Sequence, residues 1–159
     1  MTWIVVRHLM SSKDNLQHVL NRDIPLTSSL GVEIQTWDEG RLSLTLPLAP
    51  NINHKSTMFG GSLYCGAVLT GWGWLYLKLA DAGIHDGHIV IQESQITYPR
   101  PVLADCLSVC ELVEARIWDR FLSTYLRRGR ARIGLDVTIS NVGSDEVAVR
   151  FCGQYVVHK

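Results

Sequence analysis

The hydrophobic residues of this chain change their spacing several times, and each spacing predicts one type of element. The first spacing is helical and predicts a helix over about residues 13–21, with Ser11 and Asp14 forming a capping box at its start. Pro25 ends any continuation of this helix. The residues on its apolar side are Leu16, Val19 and Leu20.

Alternation of apolar and polar residues predicts strands on both sides of the middle of the chain. Alternation begins at Val32 and Ile34, and after a turn at residues 38–40 it continues in Leu42, Leu44, Leu46 and Leu48. Later strands are predicted over residues 88–98, about 105–113, and in a long hairpin at residues 131–139 and 147–157 with a turn at 141–145. A short helix over residues 117–126 lies within an arginine-rich insertion at about residues 115–130.

The middle of the chain predicts one long apolar helix over about residues 61–80. Lys78 is its only charged residue, and two interpretations arise: a membrane span or a helix buried in a globular domain. The many glycines and the half-polar strands on either side favour the buried helix. The sequence therefore predicts an α+β fold without membrane insertion, in which a curled antiparallel sheet wraps around one long central helix.

Composition narrows the class further. The chain has 159 residues, of which 47% are hydrophobic and 19% charged, with a formal net charge of +0. That length fits a single domain over residues 1–159, and a neutral chain has no bulk field to recruit nucleic acid. The segment at residues 3–6 is too short for a signal peptide. The four cysteines form no Cys-x-x-Cys pair and are interpreted as reduced thiols of a cytoplasmic protein.

Five motifs along the chain combine prolines, glycines and polar residues. They are Pro-Leu-Ala-Pro-Asn-Ile-Asn at residues 47–53, Thr-Met-Phe-Gly-Gly-Ser at 57–62, Thr-Gly-Trp-Gly at 70–73, Tyr98 before Arg-Pro-Val at 100–102, and Gly-Gln-Tyr-Val at 153–156. Together these motifs resemble those of the hot-dog superfamily of acyl-thioester enzymes. More narrowly, the chain resembles a small thioesterase family that also occurs fused behind an acetyltransferase domain.

This resemblance implies a hot-dog fold and a homodimer or dimer of dimers. It also implies a substrate whose thioester is carried by phosphopantetheine on acyl carrier protein or coenzyme A, with no other cofactor and no metal. Members of the family are similar to malonyl-acyl-carrier-protein decarboxylases of fatty acid initiation. Three functions follow: decarboxylation of a malonyl thioester, hydrolysis of an acyl thioester, or acyl binding and dimerisation without catalysis.

The candidate site lies where a polar loop enters the long helix. Glycines there allow a ligand to approach the unpaired N–H groups of a helix start, which could hold an oxyanion; the alternative is that they only permit tight packing. Asn53, Gly61 and Thr57 are the predicted catalytic residues, although loop capping is the alternative for the asparagines. The predicted substrate-binding residues are Asn51, Phe59, Gly60, Ser62, Tyr64, Arg127 and Arg128.

An absence decides between the chemistries. Hot-dog hydrolases commonly place a carboxylate at the start of this helix or in the loop before it, whereas residues 49–70 contain none. Glu93 is expected to face solvent or a partner strand, and Cys65 is expected to be a buried thiol. Decarboxylation needs only donors to the thioester oxygen, so it is the first expectation and hydrolysis the second.

Two features outside this loop stay open. The arginine-rich stretch that contains Arg127 and Arg128 could bind a phosphopantetheine phosphate or an acidic carrier protein, or it could be a solvated helix face. The run from His85 to His88 is interpreted as a turn-forming loop and not as a metal site.

Overall fold

The computed structural model describes residues 10–159, so the segment at residues 3–6 lies outside it. The elements, numbered in chain order, are α1 (Ser12–Asp23), α2 (Leu26–Leu30), β1 (Glu33–Asp38), β2 (Arg41–Leu46), a 3-10 turn (Ala49–Asn51), α3 (Gly60–Asp81), β3 (His88–Thr97), β4 (Cys106–Cys110), α4 (Ala115–Arg128), β5 (Arg130–Asn141) and β6 (Val147–His158). The predicted order of helices and strands is confirmed.

The six strands form one antiparallel sheet in the order β1-β2-β4-β5-β6-β3, and the sheet curls around α3. Each strand turns its apolar residues inward, so that the leucines of β2 at positions 42, 44 and 46 are fully buried. The helix packs against β2, β3, β4, β5 and β6, and α1 covers another of its sides. This α+β arrangement is the predicted one.

Helix α3 is surrounded closely enough that its glycines are needed for space. A Cβ added at Gly71 would lie 2.3 Å from the hydroxyl of Tyr155, which donates a hydrogen bond of 2.8 Å to the carbonyl of Val68. Trp74 is fully buried and donates to the carbonyl of Gly40 across the core. In the part of the chain that the structure describes, no helix is long and apolar enough to cross a membrane.

The two edges of the sheet are protected to different degrees. At β1 the side chain of Gln17 donates to the carbonyl of Val32 and accepts from the N–H of Ile34, so α1 occupies part of that edge. At β3, Trp72 is the one residue of 10–159 whose side chain makes a hydrogen bond to the backbone of the strand. It donates to the carbonyl of Ile89 at 3.2 Å. Strand β3 is therefore a long edge with most of its outward groups open.

Three local predictions differ from the structure. Pro25 ends α1 as expected, but its φ of −57° also suits a helix start, and the short helix α2 follows it. Strand β4 stops at Cys110 instead of 113 because the chain leaves the sheet there, with Leu112 packed beside Gly40. Helix α4 is longer than predicted and ends at Gly129, whose φ of 68° suits a helix C-cap.

Candidate functional site

The candidate site begins in the loop between the 3-10 turn and α3, which is closed by hydrogen bonds between Asn53 and Thr57. The N–H of Asn53 donates to the carbonyl of Thr57 at 2.8 Å, and its Nδ2 donates to Oγ1 of Thr57 at 2.9 Å. Its Oδ1 accepts from the N–H groups of Lys55 and Thr57. The amide is therefore held in one orientation by atoms on both sides.

Two hydrogen-bond donors in this loop remain unused. Nδ2 of Asn53 carries two hydrogens, and one of them is used by Thr57. The Thr57 hydroxyl accepts that bond, and its own hydrogen has no acceptor among residues 10–159. Both side chains are half-buried. The loop thus presents two uncharged donors, one from the amide and one from the hydroxyl.

The start of α3 supplies further donors because it has no side-chain cap. Phe59 occupies the N-cap position, where Ser, Thr, Asp or Asn would bond to the first turn, and the first helical bond runs from Leu63 to its carbonyl. The N–H groups of Gly60, Gly61 and Ser62 consequently have no acceptor within the described residues. Ser62 lies at the third helical position, and its predicted contact with substrate stays a prediction.

Two aromatic side chains flank this helix start. The ring of Phe59 lies over Gly61, where an added Cβ would be 2.4 Å from Cε1 of the ring. Tyr98, directly after β3, donates from its hydroxyl to the carbonyl of Gly60 at 3.0 Å. Their exposed fractions are 57% and 47%, high for side chains of this size. No site role was predicted for Tyr98, although it belongs to one of the motifs that resemble the hot-dog superfamily.

The inner face of α3 next to the site carries Tyr64 and Cys65. The hydroxyl of Tyr64 shares a hydrogen bond of 2.8 Å with Ser94 on β3, and its ring meets Phe151 edge to face. Burial raises the pKa of the Cys65 thiol, which keeps it protonated and makes it a poor nucleophile. Partial burial also raises the pKa of the Tyr98 phenol, so that hydroxyl stays a donor.

Asn51 has a different position from Asn53. It is 3% exposed, and its Nδ2 donates to the carbonyls of Leu30 and Pro47, both at 2.8 Å. Its own carbonyl accepts from the N–H of Phe59 at 2.7 Å. Both amide hydrogens are therefore used inside the fold, and Asn51 fixes the loop that carries the other donors. Its predicted contact with substrate stays a prediction.

The predicted phosphate contacts Arg127 and Arg128 lie far from this loop within one chain. They end α4, whose Trp118 packs edge to face on Trp74 in the second half of α3. Arg130 follows them and lies opposite His158, which in turn lies opposite His88 at the start of β3. Tyr98, by contrast, contacts Gly60 just beyond the other end of β3. Ten residues of strand separate the two places by roughly 30 Å.

Carboxylates do not enter the site's hydrogen bonds. Glu93 lies exposed on the outer face of β3 beside Gln154, as predicted, and Asp81 is exposed at the far end of α3. Within residues 10–159 no group of three or more His, Cys, Asp or Glu side chains could hold a metal ion. The chemistry of the site therefore consists of neutral N–H and O–H donors around the positive end of a helix.

Another groove of the described chain lies elsewhere. Its volume is about 620 Å³, and it runs over the outer face of β1, β2, β4 and β5. Hydroxyls such as those of Thr36 and Ser43 bond to each other there at 2.6 Å. No donors converge on a point in this groove, and no helix start opens into it. The loop and the start of α3 are the stronger candidate because their unused donors are clustered.

Comparisons with known proteins agree with the fold and the class of site. Residues 13–159 match the family described as "Putative thioesterase (yiiD_Cterm)". A protein of unknown function from Chlorobaculum tepidum is 34% identical, with a TM-score of 0.87 over 92% of this chain and 94% of that one. A protein from Shewanella oneidensis, described as a putative thioesterase, is 30% identical, with a TM-score of 0.82 over 93% of this chain and 98% of that one.

A third structure, from Pseudomonas aeruginosa and described as a probable thioesterase, is 22% identical with a TM-score of 0.74, over 91% of this chain and 93% of that one, and supports the fold alone. These descriptions do not mention decarboxylation. The curled sheet around α3 is the hot-dog fold of these structural relatives. With a family match over nearly its whole described length, the chain belongs to the hot-dog thioesterase family named for the YiiD C-terminal domain.

Proposed function

We propose that this chain binds a malonyl thioester at the start of α3 and decarboxylates it to an acetyl thioester, with acyl carrier protein as the carrier. The observation that carries the proposal is the uncapped helix start beside the Asn53 and Thr57 donors, in a segment, residues 49–70, that contains no carboxylate. The thioester carbonyl would accept from Asn53 and from the N–H of Gly61.

The proposed reaction needs no base. The bond between the carboxylate carbon and the α-carbon breaks, its electron pair moves into the thioester, and CO2 leaves. The negative charge then lies on the thioester oxygen as an enolate, and the α-carbon takes a proton from solvent. Donors that bind this oxygen more strongly as its charge grows lower the barrier. A carboxylate at about 4 Å would oppose the reaction by repelling the substrate with roughly 4 kcal/mol at an effective dielectric constant near 20.

Hydrolysis is the second candidate, and the family comparison favours it because its description and the Shewanella structure both speak of a thioesterase. Hydrolysis would need a group that activates water. His54 is exposed and follows Asn53 directly, so it is the imidazole of this loop that could do so. The same oxyanion donors would serve either reaction.

We further propose that the site is completed in a homodimer formed through β3. Edge strands pair readily, and this edge has one side-chain bond to its backbone among the described residues. The exposed Phe59 and Tyr98 lie at the end of this edge, where a second copy would cover them. The four free thiols suit a cytoplasmic location, where thiols stay reduced.

The decisive experiment offers the purified protein malonyl-acyl carrier protein and, separately, a saturated acyl-acyl carrier protein. Mass spectrometry of the carrier identifies the product. Acetyl-carrier protein supports decarboxylation, a free carrier thiol supports hydrolysis, and unchanged substrates with measurable binding support a binding module. Loss of at least 100-fold in kcat is expected for Asn53→Ala, because one oriented oxyanion donor contributes about 10²–10³ in rate.

A matched pair of variants assigns the reaction. His54→Ala should leave decarboxylation within about threefold of wild type, since that reaction needs no base and its proton comes from solvent, whereas it should abolish hydrolysis that depends on this imidazole. Gly61→Ala should lower kcat because its Cβ displaces Phe59, whereas Gly134→Ala, which has open space around it, should change neither activity nor stability. Full activity in Asn53→Ala would remove this residue from the site.

A further inference from the structure

A cluster of cations occupies the end of the molecule opposite the candidate site. We define the basic patch as five side chains: Arg127, Arg128, Arg130, Arg132 and Lys159. All five are exposed. The patch is continuous because the N–H of Lys159 donates to the carbonyl of Gly129 at 3.1 Å, which holds the last residue against the junction between α4 and β5.

The basic patch is not neutralised by its own chain. Within residues 10–159 none of its five cations has a carboxylate within the 4.0 Å of an ion pair. Four arginines elsewhere are each paired with an acid: Arg22, Arg41, Arg100 and Arg116. Asp86, in the loop before β3, lies near enough to Tyr125 of α4 that its charge adds to the effect of burial in raising the pKa of that phenol. In a chain of net charge +0, this local excess of positive charge is free to attract an anionic partner.

The face of the sheet beside Arg130 has an apolar floor. A shallow groove of about 530 Å³ lies on the outer face of β3, β6 and β5, and Val90 and Val156 form its floor while Arg130 and His158 form its rim. Arg130 of β5 lies opposite His158 of β6, and His158 lies opposite His88 of the edge strand β3. These three residues form one row of basic groups across the strands. The next row is Arg132, Val156 and Val90.

The spacing of the charges fits a protein helix and not a single phosphate. Alternate residues of a strand lie about 7 Å apart, and neighbouring strands about 4.8 Å apart, so the basic groups are spread over a surface. A phosphate is held by donors that converge on one point, often at a helix start. An amphipathic helix carries carboxylates one turn apart around an apolar stripe, which matches cations around a valine floor.

We infer that the basic patch is the docking surface for an acidic, amphipathic helix of the protein that carries the thioester. This inference rests on the proposed function, because it takes the substrate to be attached to a carrier protein. The patch would orient the carrier, while the loop and the start of α3 act on the acyl group. It therefore governs the choice of carrier and not the chemistry.

The proposed dimer relates the patch to the site. When two copies of β3 pair antiparallel about their middle, the His88 end of one lies beside the Tyr98 end of the other. The basic patch of one subunit then borders the helix start of its partner, although within one chain the two lie at opposite ends of β3. A carrier docked on one subunit would thus deliver its thioester to the site of the other.

The first experiment measures binding without catalysis. An acyl-carrier protein with an amide in place of the thioester is titrated into the full-length protein by calorimetry. Arg130→Glu with Arg132→Glu should weaken binding at least tenfold, and the control pair Arg22→Glu with Arg116→Glu less than twofold. With the natural thioester, the patch variant should raise KM for the carrier-linked substrate while kcat for the coenzyme A thioester stays unchanged.

The outcomes separate this inference from the proposed function. Equal effects of the two pairs, or tight binding of the wild type to an RNA oligonucleotide but not to the carrier, would overturn the docking surface. Turnover of coenzyme A thioesters without carrier binding would do the same and leave the reaction intact. Patch-dependent carrier binding without turnover of any thioester would keep the docking surface and overturn the function.

A second experiment tests delivery across the dimer. Subunits bearing Asn53→Ala and subunits bearing the patch substitutions are co-expressed with different tags, and the heterodimer is isolated. One of its two sites would combine an intact loop with an intact patch from the other subunit, so roughly half of wild-type activity on the carrier-linked substrate is expected. A heterodimer as inactive as its parents would overturn cross-subunit delivery.

Discussion

Two asparagines two residues apart have opposite roles in the structure. Asn51 is buried and donates both amide hydrogens to backbone carbonyls, whereas Asn53 is half-buried and keeps one amide hydrogen free. The sequence could not separate them by composition, since both stand in the same polar loop. Their partners, Leu30 in one case and Thr57 in the other, decide the difference.

This contrast predicts different results for the same substitution. Asn51→Asp places a carboxylate against two carbonyl oxygens in a buried position, so thermal or urea unfolding should show a loss of about 2–4 kcal/mol. Asn53→Asp keeps its two acceptor bonds from Lys55 and Thr57 and should unfold within about 1 kcal/mol of wild type, while its activity is lost. Equal destabilisation by both changes would contradict the assignment.

The helices and strands were predicted most reliably from the sequence where one face of the element is buried and the other is exposed. The apolar residues of α1, β2 and β5 lie in the core, as their helical or alternating spacing predicted. The capping bond between Ser11 and the N–H of Asp14 is also present, at 3.1 Å. Helix α2 and the early end of β4 were missed, because a proline and a change of direction are decided by packing as well as by period.

Strand β4 gives a prediction on alkaline stability. Burial raises the pKa of the Cys106 thiol to about 12, from a reference value of 9.0. Below pH 9 the thiol is protonated in both the folded and the unfolded chain, so its ionisation does not change the free energy of unfolding. Between about pH 9 and 12 the unfolded chain releases a proton that the folded chain keeps, so the free energy of unfolding falls by up to about 1.4 kcal/mol per pH unit.

The measurement compares urea unfolding from pH 8 to 11 in wild type, Cys106→Ala and Val109→Ala. Cys106→Ala should be less stable at pH 8, since it loses its packing on Met58, but its stability should fall less steeply with pH. Val109→Ala, from the same strand, also loses packing but should keep the wild-type slope. Identical slopes in all three proteins would refute the role of this thiol.

At the scale of the whole molecule, the sheet order determines where a second copy can bind. Strand β3 is ten residues long and forms the free edge next to the candidate site, whereas β1 is partly covered by α1. The strand carries an irregularity between Ile91 and Glu93, so Gln92 lies exposed near its middle. Pairing through this edge would be centred there.

Gln92→Pro should therefore separate the proposed dimer, because proline removes an N–H and blocks the approach of another strand. Light scattering should give the mass of one chain for this variant, and twice that mass for wild type and for the control Gln92→Ala. Circular dichroism should show a retained fold, and carrier-dependent activity should be lost. A monomeric wild type with full activity would remove the dimer from the proposal.

The elements and the proposed donors of the loop could be predicted from the sequence alone. Hydrophobic period depends on neighbours a few residues apart, and Asn53, Thr57 and Gly61 lie within nine positions, so short-range spacing was sufficient for both. The lack of a carboxylate in that segment is likewise a fact of sequence. The order of the elements and the all-apolar helix already predicted a sheet wrapped around α3, the resemblance added the hot-dog fold, and the structure confirms both.

Which distant residues meet became visible in the fold. It brought Tyr98 to the carbonyl of Gly60, left β3 as an open edge, and joined Lys159 to the arginines around Gly129. These relations depend on strand order and register, which a period of two cannot specify because every strand with one apolar face looks alike. The proposed donors therefore follow from the chain alone, whereas the aromatic side chains around them and the proposed docking surface depend on the fold.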